Sequence, residues 1–331
     1  MDEKYLSSHP TSMVIPGLIL TRLAGKLDIS QITSTFKMFK SLNPDNEIVV
    51  STYRNEIPEP VLEYIDKVII NHDPGPDIFI SDRWIFMCKN KLPTLNNFSR
   101  FFLTNYSGIR ACKNDLVLKS RIEMMPQDPT LLINLIEEYK IFQATNNASL
   151  GFFTEHYSGI FHSVDGVIGG IPGTVQIGSK DTLEKLYFQS MKFWQNERIR
   201  LTRKAIRHTV TSEQILGLNY LYLFHDFSLN SILDKLDKYY VSPKLIHLIL
   251  KAEVNSFKFL SLKKSGFILH KYQGTFFIKT PKNLDNNIHK KIIFKLGIVF
   301  LKRYKHRFRR FRSSFLLANK EDQFEETIRK Y

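Results

Sequence analysis

Residues 47–71, EIVVSTYRNEIPEPVLEYIDKVIIN, decide the fold class of this chain. Two short apolar runs in this stretch, Glu47–Thr52 and Lys67–Asn71, have the length and the Val and Ile content that are typical of buried strands. Further strand and helix candidates alternate along the first half of the chain, with strands at Met13–Leu20 and Leu116–Ser120 and helices at Gln31–Ser41 and Leu95–Cys112. Strands that alternate with helices predict an α/β domain with a mostly parallel central sheet and helical cover.

The composition is that of a folded protein, since the 331 residues are 43% hydrophobic and 24% charged. The two cysteines, Cys88 and Cys112, are too few for a disulfide framework and favour a reducing compartment. We expect no signal peptide, because the apolar run Met13–Leu20 is short and contains Pro16. The apolar stretch Ile292–Leu301 falls short of the roughly 20 residues that cross a bilayer. These features together predict a cytoplasmic protein.

The second half of the chain has helical apolar spacing at Thr182–Asn196 and at Ser212–Asp237. A Gly-rich stretch at 159–178 precedes the first of these helices. Its glycines permit close backbone approach to a ligand, and a run of tight turns explains them equally well. A break in the pattern near residue 237 predicts a first domain at 1–237 and a C-terminal region at 238–331.

Much of the net charge of +15 is concentrated near the C-terminus, where ten Lys or Arg residues and no acidic residue lie between Lys290 and Arg312. An apolar stripe at helical spacing runs through the same segment and consists of Ile293, Gly297, Phe300, Tyr304, Phe308, Phe311 and Phe315. The pattern predicts an amphipathic helix at about 290–317 that lies on an anionic membrane surface. Packing of the stripe on the main domain is the alternative. A nucleic-acid partner is disfavoured, because no stacking sheet or recognition-helix pattern occurs elsewhere.

Three short segments combine charged side chains with a strand end or a Gly-rich run, namely His72–Gly75, Lys119–Glu123 and His162–Asp165. Lys119, Arg121 and Glu123 lie two residues apart, so they share one face if the strand continues through them. Two cations can neutralise a diphosphate, and a carboxylate can hold a divalent ion. A solvated strand end, or an ion pair between Arg121 and Glu123, is the alternative explanation.

Six segments of the chain follow one another in an order that is similar to that of a known family. They are Ile48–Tyr53, Asp66–Gly75, Asn97–Arg100 with Ser107 and Gly108, Leu118–Glu123, Phe161–Asp165 with Gly169, and Ser212–Leu216. In this order they resemble the motifs of the WavE family of bacterial lipopolysaccharide-synthesis proteins. The resemblance covers roughly Met13–Tyr222.

The resemblance implies a GT-A-like (Rossmann-like) catalytic domain that transfers a sugar from a nucleotide-sugar donor. The implied acceptor is a growing lipopolysaccharide or capsular polysaccharide. It would be either an oligosaccharide or a lipid-linked glycan. That acceptor and the basic helix together predict a peripheral protein on the cytoplasmic face of the inner membrane. The alternative is a non-catalytic protein that retains the fold and binds a glycan or an assembly partner.

The chain departs from the family pattern in two places. The opening strand Val14–Leu18 keeps a glycine but matches the family's Gly-Pro segment only loosely, and the second departure concerns a metal ion. Where the family has Arg-x-Asp, this chain has Arg121-Ile-Glu123. Glu123 is therefore the expected ligand of a Mn²⁺ or Mg²⁺ ion, and metal dependence stays open. The same departure is the main support for the non-catalytic alternative.

The catalytic residues predicted for an inverting transfer are Asp165, Glu213 and His162. Asp165 and Glu213 are the candidates for the carboxylate that takes the proton of the acceptor hydroxyl, and His162 lies beside Asp165 in sequence. An Asx turn at Asp165 is an equally good explanation. Ser212 and Glu213 also form a typical start of a helix.

The predicted donor-binding residues are Gly17, Thr52, Asp73, Arg100, Lys119 and Arg121. Arg100 and Lys119 are assigned to the diphosphate, with Arg121 as a third cation. Asp73 is assigned to the ribose or the base, or else it caps a turn before Pro74.

Overall fold

The structure is a computed structural model, which describes residues 9–17, 29–54, 57–75, 77–79, 94–122, 131–146, 150–153, 171, 173, 175–205, 212–225 and 259–260. The strands in these ranges are β1 (Thr11–Pro16), β2 (Glu47–Thr52), β3 (Lys67–Ile70), β4 (Asp77–Phe79), β5 (Thr94–Asn96), β6 (Leu116–Ser120), β7 (Leu150–Phe153), β8 (Val175–Ser179) and β9 (Phe259–Leu260). The helices are α1 (Ile29–Leu42), α2 (Glu59–Leu62), α3 (Phe98–Ala111), α4 (Leu131–Asn146), α5 (Lys180–Ala205) and α6 (Ser212–Phe224).

A seven-stranded sheet organises the described part of the chain, with the strand order β3-β2-β1-β6-β8-β7-β9. β1 pairs in parallel with β2 and β6, β2 pairs in parallel with β3, and β7 pairs in parallel with β9. β8 is antiparallel to both of its neighbours, β6 and β7. The predicted α/β class with a mostly parallel sheet is thereby confirmed, and the arrangement is consistent with the GT-A-like fold that the resemblance implies.

Helices pack on both faces of the sheet, because the central strands are apolar on both sides. Met13 and Ile15 of β1 contribute to one core cluster, whereas Val14 contributes to the other. The cluster around Val14 includes residues of α3, α5 and α6, among them Phe102, Ile109, Leu183, Trp194, Ile215 and Leu221. The cluster around Met13 includes residues of α1 and α4, among them Phe36, Phe39, Leu132 and Ile136. Every residue of β1 and β2 is buried, as expected for strands that are covered on both faces.

Helix α3 lies unusually close to the sheet because of Gly108. An ideal Cβ atom at this position would be 2.7 Å from the Cγ1 atom of Val14 and 3.0 Å from the Cβ atom of Ser51. A side chain of any size would therefore push the helix away from β1 and β2. This contact matters for function, because the first turn of α3 reaches the edge of the sheet where the parallel strands end.

The opposite edge of the sheet is held together by the buried carboxyl group of Glu47. Its Oε2 atom accepts hydrogen bonds from the hydroxyl of Ser12 at 2.7 Å and from the backbone N–H of Lys113 at 2.8 Å. Lys67 places its Nζ atom 3.8 Å from the Oε1 atom of Glu47. These contacts tie the connection between α3 and β6 to the amino ends of β1, β2 and β3.

The predicted bounds of β2 and β6 are confirmed, and other predicted elements differ from those observed. β1 spans Thr11–Pro16 rather than Met13–Leu20, and residues 18–20 lie outside the described ranges. α1 and β3 differ from their predicted bounds by one or two residues at an end. The helix predicted at Leu95–Cys112 is wrong at its start, because residues 94–96 pair with β4 as a strand.

The predictions for the second half of the chain are tested only in part. The helix predicted at Thr182–Asn196 exists and is longer, as α5. The helix predicted at Ser212–Asp237 is described as far as Phe224. The division at residue 237 stays a prediction, and the amphipathic helix at about 290–317 lies outside the described residues. None of the helices in the described part of the chain has the length and apolar character that a membrane crossing needs.

Candidate functional site

The strand order identifies one crevice as the candidate site. From β1 the chain proceeds to β2 and β3 on one side, and it then crosses to β6 on the other side of β1. In open α/β sheets, ligands bind where the order reverses in this way, outside the carboxyl ends of the strands. Here the reversal lies between the carboxyl ends of β1 and β6. The amino end of the antiparallel strand β8 reaches the same edge, since Val175 pairs with Ser120.

Gly17 ends β1 at this crevice and has a conformation that favours glycine. Its φ angle is +75°, and its backbone N–H donates a hydrogen bond to the carbonyl of Ser51 at 2.6 Å. An ideal Cβ atom on Gly17 would be 3.3 Å from the Oγ1 atom of Thr104 in α3. The end of β1 therefore lies close to α3, while Gly17 itself is exposed.

Thr52 ends β2 and shapes the next loop from a buried position. Its hydroxyl donates to the carbonyl of Arg54 at 3.2 Å and accepts from the backbone N–H of Arg54 at 3.4 Å. The carbonyl of Thr52 accepts hydrogen bonds from the backbone N–H of Asn71 at 2.7 Å and from its Nδ2 atom at 3.1 Å. Asn71 also donates to the hydroxyl of Ser51 at 2.9 Å. The loops after β2 and β3 are thus tied to each other.

Asp73 and Arg100, two predicted donor-binding residues, bind each other. The Nε atom of Arg100 donates to the Oδ1 atom of Asp73 at 2.7 Å, and its Nη2 atom donates to the Oδ2 atom at 2.6 Å. The hydrogen bond from Arg100 lowers the pKa of Asp73, and the same bond raises the pKa of Arg100. Both groups therefore stay charged at neutral pH. The pair joins the loop after β3 to the first turn of α3.

Tyr53 belongs to the same site and escaped the sequence analysis. Its hydroxyl donates a short hydrogen bond to the carbonyl of Arg100, and the guanidinium carbon of Arg100 lies 5.9 Å from the centre of its ring. Burial raises the pKa of Tyr53 well above its ordinary value of 10.0, so the phenol stays protonated and serves as a donor. The sequence places Tyr53 directly after a predicted strand, which is a signal for a site residue. It does not show that Tyr53 binds Arg100, which is 47 residues away.

A second residue that the sequence analysis missed, Asp77, anchors the start of α3. Its Oδ2 atom accepts the backbone N–H of Ser99 at 2.7 Å, and its Oδ1 atom accepts the hydroxyl of Ser99 at 2.7 Å. The indole N–H of Trp194 in α5 also donates to Oδ1, at 3.2 Å. Asn97, which precedes the helix, makes no side-chain capping bond to it. Asp77 of β4 caps the helix instead.

Lys119 lies under the crevice rather than at its surface. Its side chain is completely buried, its ammonium group donates a short hydrogen bond to the carbonyl of Gly173, and its Nζ atom lies 5.5 Å from the centre of the Phe101 ring. β6 ends at Ser120, so the strand alternation that would align Lys119 with Arg121 is not observed. Arg121 follows the strand in a half-buried position.

Glu213 lies at the start of α6 and contacts the same segment as Lys119. Its backbone carbonyl accepts the N–H of Ile171 at 2.8 Å, and its Oε1 atom would be 3.8 Å from a Cβ atom on Gly173. The hydroxyl of Ser212 donates to its Oε2 atom at 3.0 Å. Lys119 and Glu213, which are far apart in sequence, thus both lie near Gly173, and Glu213 also binds Ile171.

The predicted site residues therefore form two groups at one edge of the sheet. Gly17, Thr52, Asp73 and Arg100 lie at the ends of β1, β2 and β3 and at the start of α3, and Lys119 and Glu213 flank Gly173. His162, Asp165 and Glu123 lie outside the described residues. Within the described ranges, no group of three or more His, Cys, Asp or Glu side chains is arranged to hold a metal ion. The metal site at Glu123 stays a prediction.

Comparisons with known proteins leave the family open. No protein-family model and no curated protein matches the chain. Among solved structures, the chain is similar to that of the glycosyltransferase GlyE from Streptococcus pneumoniae TIGR4, at 12% sequence identity and a TM-score of 0.31. The similarity covers 90% of this chain and 64% of that one, so the chain spans less than two thirds of the length of GlyE. A similarity of this size carries no argument about function.

Proposed function

We propose that the protein is a glycosyltransferase that uses a nucleotide-sugar donor and acts in the assembly of lipopolysaccharide or capsular polysaccharide. The observation that carries the proposal is the position of the Arg100 guanidinium. It is held at the carboxyl edge of the parallel strands, one helical turn from Thr104, whose Oγ1 atom would be 3.3 Å from a Cβ atom on Gly17. A guanidinium at the carboxyl edge of an open α/β sheet suits the diphosphate of a nucleotide. The WavE-like order of motifs supports the choice of a nucleotide sugar.

In this proposal the donor occupies the crevice between β1 and β6. Gly17 allows the donor to approach the backbone, and Arg100 binds a phosphate group, with Arg121 as the second cation. Thr52 acts indirectly, because its hydroxyl is engaged with Arg54 and its carbonyl holds Asn71. Lys119 adds positive charge from below, since its ammonium group is buried against Gly173.

Catalysis is assigned to the predicted carboxylates. Glu213 and Asp165 are the candidates for the general base that takes the proton of the acceptor hydroxyl, with His162 beside Asp165. Glu213 is supported by its position next to Ile171 and Gly173, the second of which accepts a hydrogen bond from the buried ammonium group of Lys119. A Mn²⁺ or Mg²⁺ ion at Glu123 would offset the charge of the leaving diphosphate. The proton transfer does not depend on this ion.

The first experiment is a thermal-shift screen of the full chain with the diphosphates of uridine, guanosine, thymidine and cytidine, each with and without Mn²⁺ or Mg²⁺. Because a ligand at 100 times its Kd stabilises the folded state by about 2.7 kcal/mol, the matching nucleotide should raise the melting temperature by several degrees. Glu123→Ala should remove any metal dependence of the shift. If none of the nucleotides stabilises the protein, the non-catalytic glycan-binding alternative is favoured instead.

We further propose that residues 290–312 hold the protein on the cytoplasmic face of the inner membrane, close to a lipid-linked acceptor. The ten basic residues in this segment, each contributing about 1 kcal/mol near an anionic surface, support the proposal. Deletion of the segment should abolish co-sedimentation with vesicles that contain anionic lipid and should spare nucleotide binding. A variant with Phe300, Phe308 and Phe311 replaced by Ser retains the charge and separates the contribution of the apolar stripe. Unchanged sedimentation of the deletion variant would show that another surface binds the vesicles.

A further inference from the structure

The ion pair between Asp73 and Arg100 leaves part of the guanidinium open. Arginine has five N–H donors in one plane. Two of them bind Asp73, and Nη1 donates a third hydrogen bond to the Oδ1 atom of Asn97 at 3.0 Å. Among the residues that the structure describes, the two remaining N–H groups meet no acceptor, and the side chain of Arg100 is 31% exposed. The guanidinium is thus fixed on one side and available on another.

Asp73 itself has little capacity left for a ligand. Its Oδ1 atom accepts the Nε–H of Arg100 and also the backbone N–H of Gly75 at 2.9 Å, and its Oδ2 atom accepts the Nη2–H of Arg100. The turn to Gly75, which has a φ angle of +78°, fixes the carboxylate relative to the end of β3. A carboxylate has about four acceptor positions, so a ribose hydroxyl or a base could use only the one that is left on Oδ2.

We infer that Asp73 is a positioning residue, which together with Asn97 holds the Arg100 guanidinium so that its two remaining N–H groups bind one phosphate group. This assignment replaces the contact between Asp73 and the ribose or base that the sequence suggested. The identity of the ligand as a nucleoside diphosphate rests on the proposed function. The role of Asp73 itself can be tested with inorganic pyrophosphate, which contains no sugar or base.

Simple electrostatics and positioning predict opposite effects of removing the negative charge of Asp73. If Asp73 acted only through its charge, its neutralisation would strengthen the binding of an anion beside Arg100. If Asp73 holds the guanidinium, its neutralisation releases the side chain and weakens binding, since the loss of orientation costs affinity. A ribose contact predicts a third result, in which a nucleoside diphosphate binds more weakly and pyrophosphate does not.

The experiment is isothermal titration of the full chain with inorganic pyrophosphate and with a nucleoside diphosphate at low ionic strength. Two single variants and the double variant are compared. Asp73→Asn preserves the shape of the side chain, and Arg100→Lys keeps the positive charge but loses the planar set of N–H donors. Asp181→Asn is the matched control, because Asp181 forms an exposed ion pair with Lys185 at 2.7 Å on α5. Thermal unfolding of each variant verifies that it is folded.

We expect Asp73→Asn to weaken both ligands by about tenfold, the worth of one hydrogen bond to a charged group, whereas Asp181→Asn has no effect. In the Arg100→Lys background, Asp73→Asn should have no further effect, because the two residues act as a unit. The inference is overturned if Asp73→Asn binds pyrophosphate as tightly as the unmodified protein or more tightly, or if the unmodified protein does not bind pyrophosphate. Binding of pyrophosphate without any preference for a nucleotide would support the inference and contradict the proposed function.

Discussion

Replacing Gly108 by Ala tests how helix α3, which carries Arg100, is held on the sheet. The new Cβ atom would be 2.7 Å from the Cγ1 atom of Val14, about 1 Å closer than the optimal separation of two carbon atoms. Val14 cannot move aside easily, because β1 is paired on both sides and a valine side chain has one preferred rotamer. The helix must therefore shift away from the sheet.

The expected effect of Gly108→Ala is the balance of two terms. Alanine in the middle of a helix is more favourable than glycine by about 1 kcal/mol. Overpacking of a well-packed core costs about 1–3 kcal/mol. We therefore expect a net loss of up to about 2 kcal/mol in the free energy of unfolding, and weaker pyrophosphate binding because Arg100 moves with the helix.

Urea denaturation followed by circular dichroism measures the loss, and Val14→Ala provides the control. In the Val14→Ala background the closest contact of the new methyl group is gone and only the Cβ atom of Ser51, at 3.0 Å, stays close, so Gly108→Ala should cost less there. A stabilising effect of Gly108→Ala in the unmodified protein would refute the close contact between α3 and β1. Equal losses in both backgrounds would show that Val14 is not the obstacle.

Two further predictions concern the same core. Asp77→Ala should lower the free energy of unfolding by about 2–3 kcal/mol, because it removes the acceptor of the backbone N–H and of the hydroxyl of Ser99, whereas the indole N–H of Trp194 keeps the Ser99 hydroxyl at 3.1 Å. Asp181→Ala in the exposed first turn of α5 should cost under about 1 kcal/mol in the same denaturation assay. The protein should lose stability above pH 9, because burial raises the pKa of Cys112 from 9.0 to about 12 and that of Tyr139 from 10.0 to about 12. As the pH rises, the unfolded chain therefore releases these protons before the folded protein does. Between pH 8 and pH 10 the free energy of unfolding of the unmodified protein should fall by about 1 kcal/mol more than that of Cys112→Ala. Equal losses in the two proteins would contradict the assignment to Cys112.

The sequence predicts the central strands well because their pattern is local. β2 and β6 match their predicted bounds, since a strand that is buried on both faces is a short apolar run between polar ends. The start of α3 could not be predicted in the same way. Leu95 fits the helical spacing of the residues that follow it, but pairing with β4 makes residues 94–96 a strand. Such pairing depends on a partner that local spacing does not reveal.

The roles of charged residues were harder to predict, because they depend on partners that are distant in sequence. Arg100 and Asp73 lie 27 residues apart, and each was assigned to the donor without any sign that they bind each other. Lys119 was assigned to the diphosphate of the donor as a cation at a strand end, and its burial was not predicted. Its burial depends on Gly173, 54 residues away, whose carbonyl accepts its ammonium group and whose missing side chain leaves room for Phe101.

The dependence of Arg100 on the core explains why a site of this kind needs residues that never touch a ligand. The first turn of α3 is fixed at three points, by Asp77 at Ser99, by Tyr53 at the carbonyl of Arg100, and by Asp73 at the guanidinium. Gly108 fixes the same helix two turns further along, by its contact with Val14. Because a displacement of about 1 Å at a binding group can cost much of its contribution, substitutions at any of these four points should affect anion binding through one guanidinium.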